Sequence, residues 1–170
     1  MTGPEPLRVV IAEDAALFRE GLARLIADRG HQVVAAVADA DALVAAVAEH
    51  DPDVAVADIR MPPTHTDEGL RAAIEIRRDH PRTGMLMLSQ YIETMYAARL
   101  LGGNAAGVGY LLKDRVADVA EFADALARVA AGGTALDPEV VSQLVRASRH
   151  ADGLATLTPR ERDEIGRAHV

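Results

Sequence analysis

Apolar residues in this chain fall into two alternating patterns, and the alternation predicts the architecture. Short unbroken runs form the first: Val9-Val10-Ile11-Ala12, Val54-Ala55-Val56-Ala57, Met85-Leu86-Met87-Leu88 and Gly107-Val108-Gly109-Tyr110-Leu111-Leu112. Runs of this length without a polar break read as strands buried on both faces. His31 to Val37 reads as another strand. The second pattern is helical spacing. Phe18, Leu22, Leu25 and Ile26 follow the first run, with Gly30 as a stop. Asp39 to His50 is alanine-rich and closed by Asp51-Pro52. Further helices run from about Leu70 to His80 and from Ser89 to Leu101. Val119, Phe122, Ala123, Leu126, Val129 and Ala130 make a last clear stripe, stopped by Gly132-Gly133.

Five repeats of strand then helix predict an α/β fold, a five-stranded doubly wound parallel sheet with helices on both faces. Such sheets bind ligands outside the carboxyl ends of their strands, where the strand order switches. Beyond Gly133 the pattern changes. Asp137-Pro138 is an N-cap and first-turn pair for a short helix carrying Val140, Val141, Leu144 and Val145. Arg146 to Thr156 reads as polar and irregular. Thr158-Pro159-Arg160-Glu161 is a capping box that opens a new helix. The expected organisation is a disordered N-terminus over 1–6, a main domain over 7–133, a helical linker over 134–156 and the truncated start of a second domain over 157–170.

Composition narrows this picture. A chain of 170 residues suits one domain and part of another. A formal net charge of -8 argues against the whole chain being a nucleic-acid surface. Without cysteine there is no disulfide framework and no thiolate metal site. The polar start, Met1 to Pro6, lacks a signal pattern, and no apolar run approaches the roughly 20 residues that span a membrane. A cytoplasmic protein is expected.

The candidate chemistry lies at the strand ends. The first run meets Glu13 and Asp14, the third strand ends in Asp58, the fourth in Ser89, and the fifth in Lys113. Lys113 is the one lysine beside seventeen arginines. Taken singly, each acid reads as a cap or loop residue, Ser89 as a cap and Lys113 as a surface lysine; together they read as one site. Three neighbouring carboxylates repel unless a cation joins them, and oxygen donors without His or Cys favour Mg2+. Asp58 has the character of a nucleophile that takes a phosphoryl group as an acyl phosphate. Lys113 and Ser89 would then contact phosphoryl oxygens.

With these residues placed, the chain resembles the receiver domain of bacterial two-component response regulators. It looks most like the NarL/LuxR subfamily, whose output is a helix-turn-helix DNA-binding domain. The resemblance covers Leu7 to about Gly133, and Leu157-Thr158-Pro159-Arg160-Glu161-Arg162 looks like the opening of the output domain. It implies a flavodoxin-like receiver with Mg2+ on Glu13, Asp14, Asp58 and the backbone carbonyl of Arg60. It implies phosphorylation of Asp58 by a sensor histidine kinase, a switch hydroxyl at Ser89, a switch aromatic at Tyr110 and a phosphoryl-binding lysine at Lys113. In that mechanism Ser89 moves inward and Tyr110 follows. Tyr91, Met95 and Tyr96, read as lying on the fourth helix, are a candidate interface for a homodimer formed on phosphorylation. Promoter DNA is expected as a partner of the full-length protein only.

Two departures accompany the resemblance. The loop Arg60 to Gly69 is longer than the usual receiver loop and is read as an inert insertion; one histidine, His65, beside Asp67 does not make a metal site. The tail from Glu164 to Val170 breaks the apolar periodicity and back-translates into a sequence resembling adapter read-through, so a truncated reading frame with an artefactual end is expected. Other functions fit less well. An aspartate phosphatase would place a second aspartate two residues after its nucleophile, where Arg60 stands. The glycines at 102–109 precede a strand instead of opening a helix after one, so they fail as a phosphate loop. A turnover enzyme is not expected. A phosphate-independent interaction module is the alternative.

Overall fold

The structure, a computed structural model, describes residues 5–102 and 104–155. Six strands form one sheet: β1 (Arg8–Ala12), β2 (Gln32–Val37), β3 (Val54–Asp58), β4 (Gly84–Ser89), β5 (Val108–Leu112) and β6 (Thr134–Leu136). Their order is β2-β1-β3-β4-β5-β6, and every neighbouring pair is parallel. The helices are α1 (Ala16–Asp28), α2 (Ala40–His50), α3 (Glu68–Asp79), α4 (Thr94–Leu101), α5 (Val119–Ala130) and α6 (Pro138–Ala155), with a short 3₁₀ helix at Lys113–Ala117.

Alternation along the central strands divides the core in two. Val10, Ala12, Ala55, Ala57, Met85, Met87 and Tyr110 face one layer, packed with Leu43, Val47, Leu70, Ile76, Ala97 and Leu100 of α2, α3 and α4. Val9, Ile11, Val54, Val56, Leu86, Leu88 and Leu111 face the other, with Leu22 and Ile26 of α1 and Phe122, Leu126 and Val129 of α5. Both faces of each central strand are thus covered, which is why these runs lack polar residues. Close contact sets some residue choices. A Cβ on Gly109 would lie 2.5 Å from Leu86 Cδ1 and 2.9 Å from Val129 Cγ2.

The doubly wound parallel sheet matches the expectation, with one strand added. β6 is only three residues long and pairs Thr134, Ala135 and Leu136 with Val108, Gly109 and Tyr110. A segment this short, directly after Gly132 and Gly133, has no periodicity to read. α6 also differs from the expected irregular stretch at Arg146 to Thr156, since the helix continues through Ala155. Arg146 to Asp152 contains neither Pro nor Gly, and Ala and Arg favour helix. Residues 146–148 are exposed on this helix, so polarity there does not mark loss of helix. α6 lies against α4: Val140 is fully buried, Leu144 packs on the core, and Thr94 Oγ1 donates to Gln143 Oε1 at 2.8 Å. The expected output-domain start at 157–170, with its tail, lies outside the described residues.

Candidate functional site

Register brings the strand-end residues together. Ala12 is opposite Ala57 across the β1–β3 pair, so Glu13 and Asp58 are each one step past that rung. The chain goes from β1 to β2 on one side and to β3 on the other, so this is the switch in strand order where parallel sheets hold ligands. On β4 and β5, Ser89 is opposite Leu112, and Lys113 follows at the start of the 3₁₀ helix. α3 comes close beneath the site. A Cβ on Gly69 would fall 1.8 Å from the Asp58 carbonyl oxygen, so only glycine permits this approach.

One carboxylate oxygen from each of Glu13, Asp14 and Asp58 lies within 4.8 Å of the other two. Glu13 is 1% exposed and Asp58 7%. Lys113 Nζ bridges two of them, 2.7 Å from Glu13 Oε1 and 2.7 Å from Asp58 Oδ2. The Arg60 amide donates to Asp58 Oδ1 at 3.1 Å, and the Ala15 amide donates to Glu13 Oε2 at 3.1 Å. The Phe18 ring supports the ammonium from 4.9 Å, a cation–π contact that hydropathy alone does not reveal. Three carboxylates against one ammonium leave an excess negative charge in an all-oxygen donor set. This is the chemistry that fits a hard divalent cation.

The titration behaviour follows from this crowding. Burial pushes the Glu13 carboxyl above the ordinary range, and the Lys113 contact offsets this only in part. Burial opposes the charge of Lys113, but Asp58 and Glu13 outweigh it and hold the ammonium above its usual value. Burial would raise Asp14 too, yet the hydrogen bond from His65 and its other partners leave it below the usual carboxylate range. At neutral pH Lys113 is therefore a cation and Asp14 an anion.

Ser89 and Tyr110 face a different partner. The Ser89 hydroxyl donates to the Tyr91 carbonyl. Tyr110 is fully buried, and its hydroxyl oxygen accepts the Glu93 amide at 3.3 Å. The Tyr110 ring fills the core beneath the β4–α4 loop. Tyr91 also lies on that loop, since α4 starts at Thr94. Tyr91 and Met95 are exposed, 64% and 70%, while Tyr96 packs partly against the core. The Arg60 side chain forms an ion pair with Glu93, joining the loop after β3 to the entry of α4.

His65, unremarkable in the sequence, reaches the cluster in the structure. The loop from Arg60 to Asp67 folds back so that His65 Nε2 lies 2.9 Å from Asp14 Oδ2, fifty-one positions away in sequence. No local periodicity carries such a contact. Asp67 instead accepts from Arg71 at 3.0 Å and Arg99 at 3.2 Å.

Comparison with known proteins gives a consistent picture. Residues 9–126 match the family model of the response regulator receiver domain. The chain is 33% identical over 161 residues to the transcriptional regulatory protein DegU of Brevibacillus brevis, covering 94% of this chain and 64% of that protein. It is 33% identical over 167 residues to the transcriptional regulatory protein NarL of Mycobacterium tuberculosis (strain CDC 1551 / Oshkosh), covering 96% of this chain and 74% of that one. The chain thus spans less than two thirds of the length of DegU. Among solved structures, a LuxR-family two-component response regulator from Aurantimonas sp. SI85-9A1 superposes with a TM-score of 0.72 at 26% identity, over 85% of this chain and 99% of that one. The signal receiver domain of NarL from Mycobacterium tuberculosis gives 0.61 at 34% identity, over 73% and 98%. Among the described residues, no helix is long and apolar enough to cross a membrane.

Proposed function

The chain belongs to the response regulator receiver family, among relatives of the NarL/LuxR kind, and on that premise we propose that a sensor histidine kinase phosphorylates it on Asp58. The observation that carries this reading is the Lys113 ammonium bridging Glu13 and Asp58 at 2.7 Å each, with Asp14 in the same cluster. Glu13, Asp14, Asp58 and the backbone carbonyl of Arg60 would hold Mg2+, which would supply charge neutralisation for phosphoryl oxygens. An Asp58 carboxylate oxygen forms the bond to phosphorus as the phosphorus–nitrogen bond of the kinase phosphohistidine breaks and the imidazole leaves. Lys113 stays charged and contacts a phosphoryl oxygen.

Ser89 then turns its hydroxyl from the Tyr91 carbonyl to the phosphoryl group. Tyr91 to Glu93 loses that anchor, and the change reaches Tyr110 and, through Thr94 and Gln143, α6. This is a shift between two packed states of one fold. Each event labels one carboxylate, so the role is signalling, not substrate turnover. The exposed Tyr91 and Met95, with Tyr96, form the surface for a homodimer made on phosphorylation. The receiver at 7–133 would pass this state through the segment 134–156, whose β6 and Val140 pack on it, to a helix-turn-helix output beginning near 157. The full-length protein would bind promoter DNA in the cytoplasm.

Intact mass after incubation with Mg2+ and acetyl phosphate tests the core of this reading. The expected result is one added phosphoryl group that needs Mg2+ and is absent from Asp58→Ala. A folded wild type that gains no mass, or an Asp58→Ala variant that gains it equally, would refute the assignment.

A further inference from the structure

We propose that His65 is a positioning residue for the cation site, its Nε2–H orienting the Asp14 carboxylate so that the other carboxylate oxygen is presented to a divalent cation. The proposal rests on the reading of Glu13, Asp14 and Asp58 as that site.

The argument begins with the loop. His65 adopts φ 54, a left-handed conformation that a residue with a Cβ enters only at a cost. Several contacts hold it there. Its amide donates to the carbonyl of buried Met61 at 3.0 Å. The next turn closes on Glu68, whose Oε2 accepts the Thr64 amide at 2.7 Å and the Thr64 hydroxyl at 2.6 Å, while Oε1 accepts the Thr66 amide at 3.0 Å. These donors, the Thr64 hydroxyl foremost, pull the Glu68 carboxyl down to about 2, so the closure is charged at any physiological pH. Asp67 adds ion pairs to Arg71 on α3 and Arg99 on α4. The segment is braced at both ends, and the imidazole is what it delivers.

The direction of the hydrogen bond follows from chemistry. An ionised carboxylate has no proton to give, so the imidazole donates. One Asp14 oxygen is then occupied by His65 at 2.9 Å, and the other remains for a metal or its water shell. Donors of this kind on a ligating carboxylate fix its rotamer, and their loss typically costs about 10- to 100-fold in metal affinity. His65 and Asp14 are 53% and 30% exposed as side chains, so the effect here belongs at the lower end, about 10-fold.

The test is Mn2+ binding to the full chain, followed by electron paramagnetic resonance, in wild type, His65→Ala, His65→Gln and His65→Phe. The glutamine keeps an N–H of similar reach, and the phenylalanine keeps a ring without one. Melting without divalent cations checks that each variant folds. About 10-fold weaker binding in both His65→Ala and His65→Phe is expected, with recovery to within about 3-fold in His65→Gln. Equal affinity in wild type and His65→Ala would overturn the proposal. So would equal loss in all three variants, which would show packing instead of donation. Tighter binding in His65→Ala would show that the imidazole competes with the cation, and would overturn it too. A folded wild type that takes up no Mn2+ would remove the cation site itself, a separate failure that carries this proposal with it.

Discussion

Glu13 lies almost wholly out of water beside two other carboxylates, and burial lifts its carboxyl above the usual range. The folded chain therefore holds this proton more tightly than the unfolded chain does. By linkage, its contribution favours folding at low pH and is lost as pH rises from 4.5 through the higher folded value. At neutral pH the charge is a cost, tolerated because the site needs it. Glu13→Gln removes the charge and keeps the shape, while Lys113 retains Asp58 as a partner. In buffer without divalent cations the variant is expected to melt about 2–4 °C higher, the shift that roughly 1 kcal/mol produces in a domain of this size. Added Mg2+ should raise the wild-type midpoint more than that of the variant. Calorimetry with and without Mg2+ checks both, and a lower metal-free midpoint in the variant would contradict the argument. Glu13, Asp58, Ser89 and Lys113 were all legible in sequence, because each directly follows or ends an apolar run and parallel strands bring such ends together. His65 and Phe18 were not, since each acts through one contact across the fold. Tyr91 reads as helical but lies before α4, because nothing in the sequence marks where that loop ends.

At the scale of elements, the start of α6 is tied to the segment that carries Lys113. Asp137 is fully buried. It accepts from Arg115 Nε at 2.9 Å, from the Leu112 amide at 3.1 Å and from the Glu139 amide at 3.0 Å. Burial alone would raise its carboxyl, but Arg115 and the two amides together hold it below the usual range. The stabilisation is therefore present above 3.8 and is lost as pH falls through the lower folded value. Asp137→Ala strands the Arg115 guanidinium and the Leu112 and Glu139 amides. Arg115 keeps about a third of its side chain in water, so the expected loss is about 2–3 kcal/mol, less than the roughly 3–5 kcal/mol of a fully buried pair. Urea unfolding at pH 7 measures it, and the difference from wild type should shrink toward pH 3. A difference that stays constant with pH would rule out the ion pair as its source. The sequence marked Asp137 as an N-cap, and it does accept the Glu139 amide. Its partners on the other side of β6 were hidden, because β6 itself is too short to leave a pattern.

For the molecule as a whole, six parallel strands send every carboxyl end to one rim, and that rim carries all the titrating chemistry described above. The two apolar layers do not depend on it, so substitutions at Asp58 or Lys113 should leave the far-ultraviolet circular dichroism spectrum of the native chain unchanged. The layered α/β architecture was readable because strand runs and helical stripes alternate strictly up to Gly133. The finish of the fold was not, because α6 looks polar beyond Val145 and hides its packing in Val140 and Leu144. The anchoring of Asp137 decides where the chain can be cut. Residues 113 to 137 form a closed loop, pinned at one end by Lys113 in the site and at the other by Asp137 on Arg115. Trypsin should leave this loop intact and cleave the native protein first at exposed arginines such as Arg146. A chain ended by mutation at Gly133 would lose the buried carboxylate, β6 and the Val140 plug together, and should be digested far faster than one ended after residue 148. The segment packed on the sheet and core thus runs past residue 126, where the match to the family ends.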